Sequence, residues 1–256
     1  MIIDAHVHLD DRIDGTAEGA VRELVRQTRE AGITRVVALH LDVQPWSPEE
    51  VSEAIAPHQE IEAFVNIHPE RTDAERLLHN AIENLGFVGL KLHPRLQEFA
   101  VDGMQTVKLV QIAGEMGIPV LFDAFPDGTH LMQGFSPLRY ATLARKCPQT
   151  KIIWAHMGGH HVIDFMMFAK RLPNVYMDMS YSLLYYRESS VPMNMVYAMR
   201  SMGFERVFYG SDYPDRPLGE SLKSSLEVLR MYGVSDAELL KLTFTNAASF
   251  FGWSDL

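Results

Sequence analysis

The sequence predicts an α/β fold, a single (β/α)8 TIM barrel spanning residues 1–256, and three observations carry that expectation. Short runs rich in β-branched and aromatic residues alternate with longer stretches of helical period along the whole chain. No Pro/Gly/Ser-rich linker or low-complexity tract interrupts the 256 residues, so one domain takes them all. The turn after the first strand reads His8-Leu9-Asp10-Asp11 and lacks the glycines that a dinucleotide-binding open sheet needs. The barrel therefore stands ahead of a doubly wound sheet.

In chain order, the short runs place strands at residues 2–8, 35–41, 63–68, 88–93, 119–124, 151–156, 175–180 and 207–212. The stretches of helical period between and after them place helices at residues 17–31, 74–85, 106–116, 137–146, 161–172, 192–202 and 218–232, with a closing helix at 235–250. Eight strands alternating with helices in about 250 residues is the arithmetic of the barrel.

Composition narrows the function classes. Twenty-three Lys and Arg against 33 Asp and Glu leave a net charge of −10 with no basic cluster, which argues against nucleic acid as a partner and disfavours a nuclease. No apolar run reaches the roughly 18 residues of a bilayer span, and the opening Met1-Ile2-Ile3-Asp4 carries no signal-peptide pattern, so a cytoplasmic protein without a membrane partner is expected. A single cysteine, Cys147, excludes an intrachain disulfide and a cysteine-based zinc site. A homo-oligomer stays open.

The 11 histidines carry the functional signal. His6, His8, His40, His68, His93 and His156 fall at or near C-terminal strand ends, the face where barrels of this type build their sites. Equivalent positions on other strands hold Asp123, Asp178 and Asp212. Strand alternation puts Asp4, His6 and His8 on one face, and pairs Lys91 with His93, Trp154 with His156, Asp178 with Ser180 and Gly210 with Asp212. Two imidazoles at i and i+2, facing carboxylates across the barrel, suit a divalent ion such as Zn²⁺. Asp178 either orients a neighbour or joins the site. His40, His58 and His79 are expected in the core or on the surface.

The segments DAHVH at 4–8, GLKLHP at 89–94, WAHMGG at 154–159, YGSDYP at 209–214 and TNAASFFG at 245–252 resemble the signature segments of the amidohydrolase-related metal-dependent hydrolases, over the whole chain. The resemblance implies one divalent metal, with Zn²⁺ first and Mn²⁺ or Fe²⁺ behind it. It places His6 and His8 as ligands, Asp212 as ligand and general base, and His156 as the group that polarises substrate or water. One departure stands out. Mononuclear members usually carry a metal-binding histidine on strand five in a segment reading like PVLVH, where this chain reads PVLFD, so Asp123 is the candidate ligand there. A second question is Lys91, which binuclear relatives carboxylate to bridge two metals; the simpler reading keeps it a cation that binds a substrate carboxylate.

The leading expectation is a hydrolase acting on a small-molecule amide, lactone or ester through metal-activated water. A decarboxylase of an aromatic or unsaturated acid is the alternative, and a metal-independent lactonase or a ligand-binding barrel without catalysis is the third. Lys91, His93, Arg216 and Tyr181 are the candidate substrate-binding residues, for an anionic or aromatic small molecule.

Overall fold

In the computed structural model, which describes residues 1–253, eight parallel strands follow one another around a barrel in sequence order. They are β1 (Ile3–Val7), β2 (Arg35–Leu39), β3 (Ile61–Asn66), β4 (Gly89–Leu92), β5 (Val120–Phe122), β6 (Ile152–Trp154), β7 (Val175–Asp178) and β8 (Val207–Phe208). Backbone hydrogen bonds join the last strand to the first. Ala5 N–H donates to Tyr209 C=O at 2.9 Å, Asp212 N–H to His6 C=O at 2.9 Å, and His8 N–H to Tyr213 C=O at 2.7 Å.

The helices are α1 (Ala17–Glu30), α2 (Pro48–Ile55), α3 (Ala74–Glu83), α4 (Pro94–Gln97), α5 (Met104–Glu115), α6 (Gly128–Met132), α7 (Pro137–Lys146), α8 (Val162–Ala169), α9 (Ser182–Tyr185), α10 (Val191–Ser201), α11 (Leu218–Met231), α12 (Asp236–Leu240) and α13 (Asn246–Phe251). α2 is the crossover between β2 and β3 that periodicity did not single out. Only eight residues long, it is announced instead by its cap, where Ser47 and Glu50 bond each other's backbone N–H groups and Pro48 starts the first turn. The expected closing helix at 235–250 is divided by a π-helical segment, Lys241–Thr245, between α12 and α13.

Two apolar layers explain the strand compositions. One, between the strands and the ring of helices, takes Val36, Val65, Leu92, Phe122, Trp154 and Met177. The other fills the barrel interior with Ile3, Ala5, Val37, Leu39, Phe64, Leu121, Ile153 and Phe208, and Ala247, Ala248 and Trp253 of the chain's last segment pack against it. Trp253 is held there by a 2.6 Å hydrogen bond from its indole N–H to Glu62. Gly89 has no substitute, because a Cβ there would lie 2.6 Å from the Phe64 ring.

These layers correct two expectations about which side chains share a face. Ile3 and Ala5 face inward on β1, so Asp4 does not line the mouth with His6 and His8; the pairing of β1 with β2 shifts between Asp4 and Val7, and that irregularity turns His6 inward. Trp154 belongs to the outer layer, packed edge-on against Phe165 of α8 at 5.1 Å. The strand ends there. His156 reaches the mouth through a run of left-handed residues, His156, Met157 and Gly158, with φ of 62°, 49° and 72°.

Candidate active site

The C-terminal strand ends and the segments just after them carry His6, His8, Lys91, His93, Asp123, His156, Asp178 and Asp212. Asp178 is the orienting residue. Its Oδ2 lies 2.9 Å from His6 Nδ1, while Oδ1 accepts from the N–H groups of His156 at 3.0 Å and Ser180 at 3.1 Å and from the Ser180 hydroxyl. Burial would raise its pKa, but the charge and hydrogen bond of His6 outweigh burial and hold it at about 2. Both oxygens are thus engaged by neighbours, and Asp178 also forms with His6 and His156 a group whose ligand atoms lie within 4.8 Å of one another.

With Nδ1 of His6 turned to Asp178, its Nε2 faces Asp212 Oδ1 at 3.1 Å without a well-formed hydrogen bond. His8 repeats the pattern from the other side. Its Nδ1–H donates to Leu39 C=O at 2.7 Å, leaving Nε2 to point at the same Asp212 oxygen from 3.5 Å. Two imidazole nitrogens and a carboxylate oxygen thus converge, all acceptors once the histidines are neutral. Only protons or a cation can reconcile them, and the donor set, with its back-side hydrogen bonds, fits a divalent ion.

Without a cation, protons do this work. Burial alone would depress His6, but the charge and hydrogen bond of Asp178, with the Asp212 carboxylate beside its other nitrogen, push it up to about 9. His8 is lowered by burial. Asp212, 18% exposed, is held well below the usual carboxylate range because the imidazoles of His6 and His8, at 3.1 and 3.5 Å, overcome its desolvation. The raised His6 pKa stabilises the metal-free fold below pH 6.5, and that contribution is lost as pH rises toward about 9. Binding a cation must expel the same proton, so apparent metal affinity is expected to climb about tenfold per pH unit between pH 7 and 9 and then level off. Titration calorimetry in buffers of different ionisation enthalpy checks it; pH-independent affinity without proton release would contradict the geometry.

Asp123 occupies a second cluster beside the first. Its Oδ1 is 3.2 Å from His156 Nε2 and 3.6 Å from His93 Nε2, and its Oδ2 is 3.7 Å from Arg95 Nε. Against burial, these three groups hold it well below the usual range. His93, buried among Lys91 and Arg95, is pushed down to about 3 and stays neutral. Lys91 is fully buried with an unpartnered Nζ, and desolvation lowers its pKa. Arg216 is at the mouth but already paired with Asp215 at 2.7 Å. Tyr181, with φ of 55°, forms one wall, stacked on Tyr185 at 5.0 Å and edge-on to Phe125 at 4.9 Å.

Sequence reasoning did not single out Phe125, the hub of that aromatic wall, which also lies 5.9 Å from His156. Nor did it find the buried carboxamides behind β4. Asn66 donates to Lys91 C=O at 2.9 Å and to Gln97 Oε1 at 3.1 Å, and Gln97 accepts from His93 N–H at 3.0 Å. Their signal was faint, a lone Asn ending β3 and a Gln four residues after His93. His40 is buried and accepts from Asn66 N–H at 3.2 Å, and His79 pairs with Glu83 on an exposed helix face. Gly210 is required where β8 crosses β1, since a Cβ there would lie 2.7 Å from that of His6.

A barrel with paired imidazoles at β1, a carboxylate past β8 and a histidine past β6 is the architecture of the amidohydrolases, and the amidohydrolase family profile matches residues 3–253. The chain belongs to that family and is an enzyme of it. No curated protein matches it. Among solved structures, an uncharacterised TIM-barrel protein of Bordetella bronchiseptica superposes with a TM-score of 0.81 at 18% identity, over 100% of this chain and 99% of that one. A probable 2-pyrone-4,6-dicarboxylic acid hydrolase of Acinetobacter baumannii, with citric acid bound, gives 0.71 at 16% identity over 98% and 99%. The 5-carboxyvanillate decarboxylase of Sphingomonas paucimobilis gives 0.67 at 12% identity over 98% of each chain. At these identities the likeness is one of fold. No helix among the described residues is long and apolar enough to cross a membrane.

Proposed function

We propose that this chain is a metal-dependent hydrolase of a small carboxylated lactone, ester or amide. The observation that carries the reading is the convergence of His6 Nε2 and His8 Nε2 on Asp212 Oδ1, with His6 oriented from behind by Asp178. His6, His8 and Asp212 would hold the ion, with Zn²⁺ favoured by two imidazoles and Mn²⁺ or Fe²⁺ by added carboxylates. When bound, the ion supplies Lewis acidity, polarising a carbonyl and acidifying water.

The chain's own residues do the rest. Asp212, ionised and facing the mouth, takes a proton from the attacking water at a carboxylate oxygen. His156 has its Nδ1 on Ser180 C=O at 3.1 Å, which turns its Nε2 to the mouth 3.2 Å from Asp123 Oδ1, placed to pass a proton to a developing alkoxide or amine. Lys91 Nζ is buried without a hydrogen-bond partner, an unspent donor of the kind that binds a substrate carboxylate, whereas the Arg95 guanidinium is already paired with Asp127 at 2.9 Å. Phe125, Tyr181 and Tyr185 offer a planar ring an aromatic wall.

Incubation of metal-loaded protein with carboxylated lactones and esters in oxygen-18 water tests this. Ring-opened or cleaved acid carrying one water-derived oxygen is expected. Release of CO₂ without label uptake from an aromatic acid would establish the decarboxylase instead.

Asp123 has a specific expected outcome. As a ligand, direct or through water, its replacement in Asp123→Ala should weaken metal affinity by about one to two orders of magnitude, and Asp123→His should keep binding and shift preference toward Zn²⁺. Metal content and selectivity unchanged in both variants would assign Asp123 wholly to His156, His93 and Arg95.

A further inference from the structure

We propose that Asp4 is a positioning residue that fixes His6 and Asp212 relative to each other across the seam where the barrel closes, a role that rests on the metal-dependent reading of this site. Every neighbouring pair from β1 and β2 to β7 and β8 is held by a parallel ladder. Among the described residues, β8 and β1 share no such ladder. β8 is two residues long, and the two strands meet through one isolated bridge, Val7 with Tyr213, and a few separate backbone bonds. His6 stands on one side of this seam and Asp212 just past the other, so the regular pairing that spaces the other strands does not space these two.

One oxygen of Asp4 spans the seam instead. Asp4 Oδ1 accepts the N–H of His6 at 3.1 Å and the N–H of Ser211 at 3.0 Å. The first belongs to one of the residues that would hold the ion, and the second to the residue directly before another. Backbone bonds across the seam run from Ala5 N–H to Tyr209 C=O and from Asp212 N–H to His6 C=O, and the Ser211 N–H between them goes to the Asp4 carboxylate. Asp4 therefore ties together the two backbones whose separation sets the 3.1 Å approach of His6 Nε2 to Asp212 Oδ1.

Stability alone does not account for a carboxylate at this position. Ile3 and Ala5 face the barrel interior, so Asp4 is turned toward the helix layer, where it is fully buried and its Oδ2 has no hydrogen-bond partner among the described residues. Burying a half-satisfied carboxylate works against folding, and an apolar side chain would avoid that desolvation. What the apolar side chain cannot supply is one acceptor shared by two N–H groups on opposite sides of the seam.

Zn²⁺ titration calorimetry of the full chain, with circular dichroism and the melting temperature alongside, tests the role. Asp4→Ala and Asp4→Val should stay folded and bind Zn²⁺ about 10- to 100-fold more weakly, the range typical of a residue acting behind the ligands. Asp4→Asn keeps an oxygen where both N–H groups can reach it and should restore affinity close to the parent's. Co²⁺ in place of Zn²⁺ reads the geometry directly: its visible absorption bands should move in the Ala and Val variants and stay in place in the Asn variant. Parental affinity and an unmoved Co²⁺ spectrum in Asp4→Ala and Asp4→Val would overturn this role while leaving the metal site intact. Loss of folding in both would also overturn it, by assigning the carboxylate to the fold. A parent chain that binds neither ion would instead defeat the metal-dependent reading, and this role with it.

Discussion

Asp212→Asn is expected to keep the barrel folded and to lower turnover roughly 10²-fold or more, the usual contribution of a positioned base. Asparagine has the same shape, tolerates the left-handed backbone at this position, where φ is 60°, and keeps the N–H that donates to His6 C=O. What it loses is the ability to accept a proton. In the native chain His6 and His8 hold Asp212 ionised, poised to receive one at neutral pH. The measurement is turnover of whichever compound takes up oxygen-18, beside the melting temperature of both proteins. Near-normal turnover would remove Asp212 from the proton-transfer step, whereas a collapsed melting temperature would show the substitution acting on the fold.

The double replacement of His6 and His8 by Ala should abolish retained metal, a loss well beyond the 10- to 100-fold typical of disturbing a residue behind a ligand. Stoichiometric metal in the double variant, measured by elemental analysis of protein purified without chelators, would refute the assignment. The metal-free fold should suffer too. His6 is the cation that compensates Asp178 and Asp212, and a buried carboxylate left without its partner costs about 3–5 kcal/mol. His8→Ala alone separates the two effects, because His8 is 14% exposed and its Nδ1 bonds only the backbone of Leu39. That variant should lose metal while melting close to the parent.

Much of this site could be read in advance because metal chemistry restricts residue types. Two imidazoles spaced i and i+2 at a strand end, with a carboxylate on the last strand, have few other uses, and the residues proposed as ligands at β1 and β8 do lie against one another. Parity was less dependable. Simple alternation failed at Asp4, where β1 slips against β2, and at His156, where the strand stops and three left-handed residues carry the side chain inward. Neither event leaves a mark in the order of polar and apolar residues. α2 escaped periodicity for a different reason, since eight residues make barely two turns and its cap spoke louder than its hydrophobic face.

The sequence by itself determined the barrel, the order of its strands and the mouth as the place of chemistry, because hydrophobic period and strand-end polarity are local properties that survive without knowledge of neighbours. The tertiary structure alone decided how those polar groups are shared. Asp178 became an orienting carboxylate because His6, His156 and Ser180 surround it; Asp123 lies among His156, His93 and Arg95 because β5 stands between β4 and β6; and Lys91 keeps a free buried amine because no acceptor reaches it. Each of these depends on distances of about 3 Å between residues far apart in the chain, and such distances are set by how the strands close into a barrel, which residue order does not encode one position at a time.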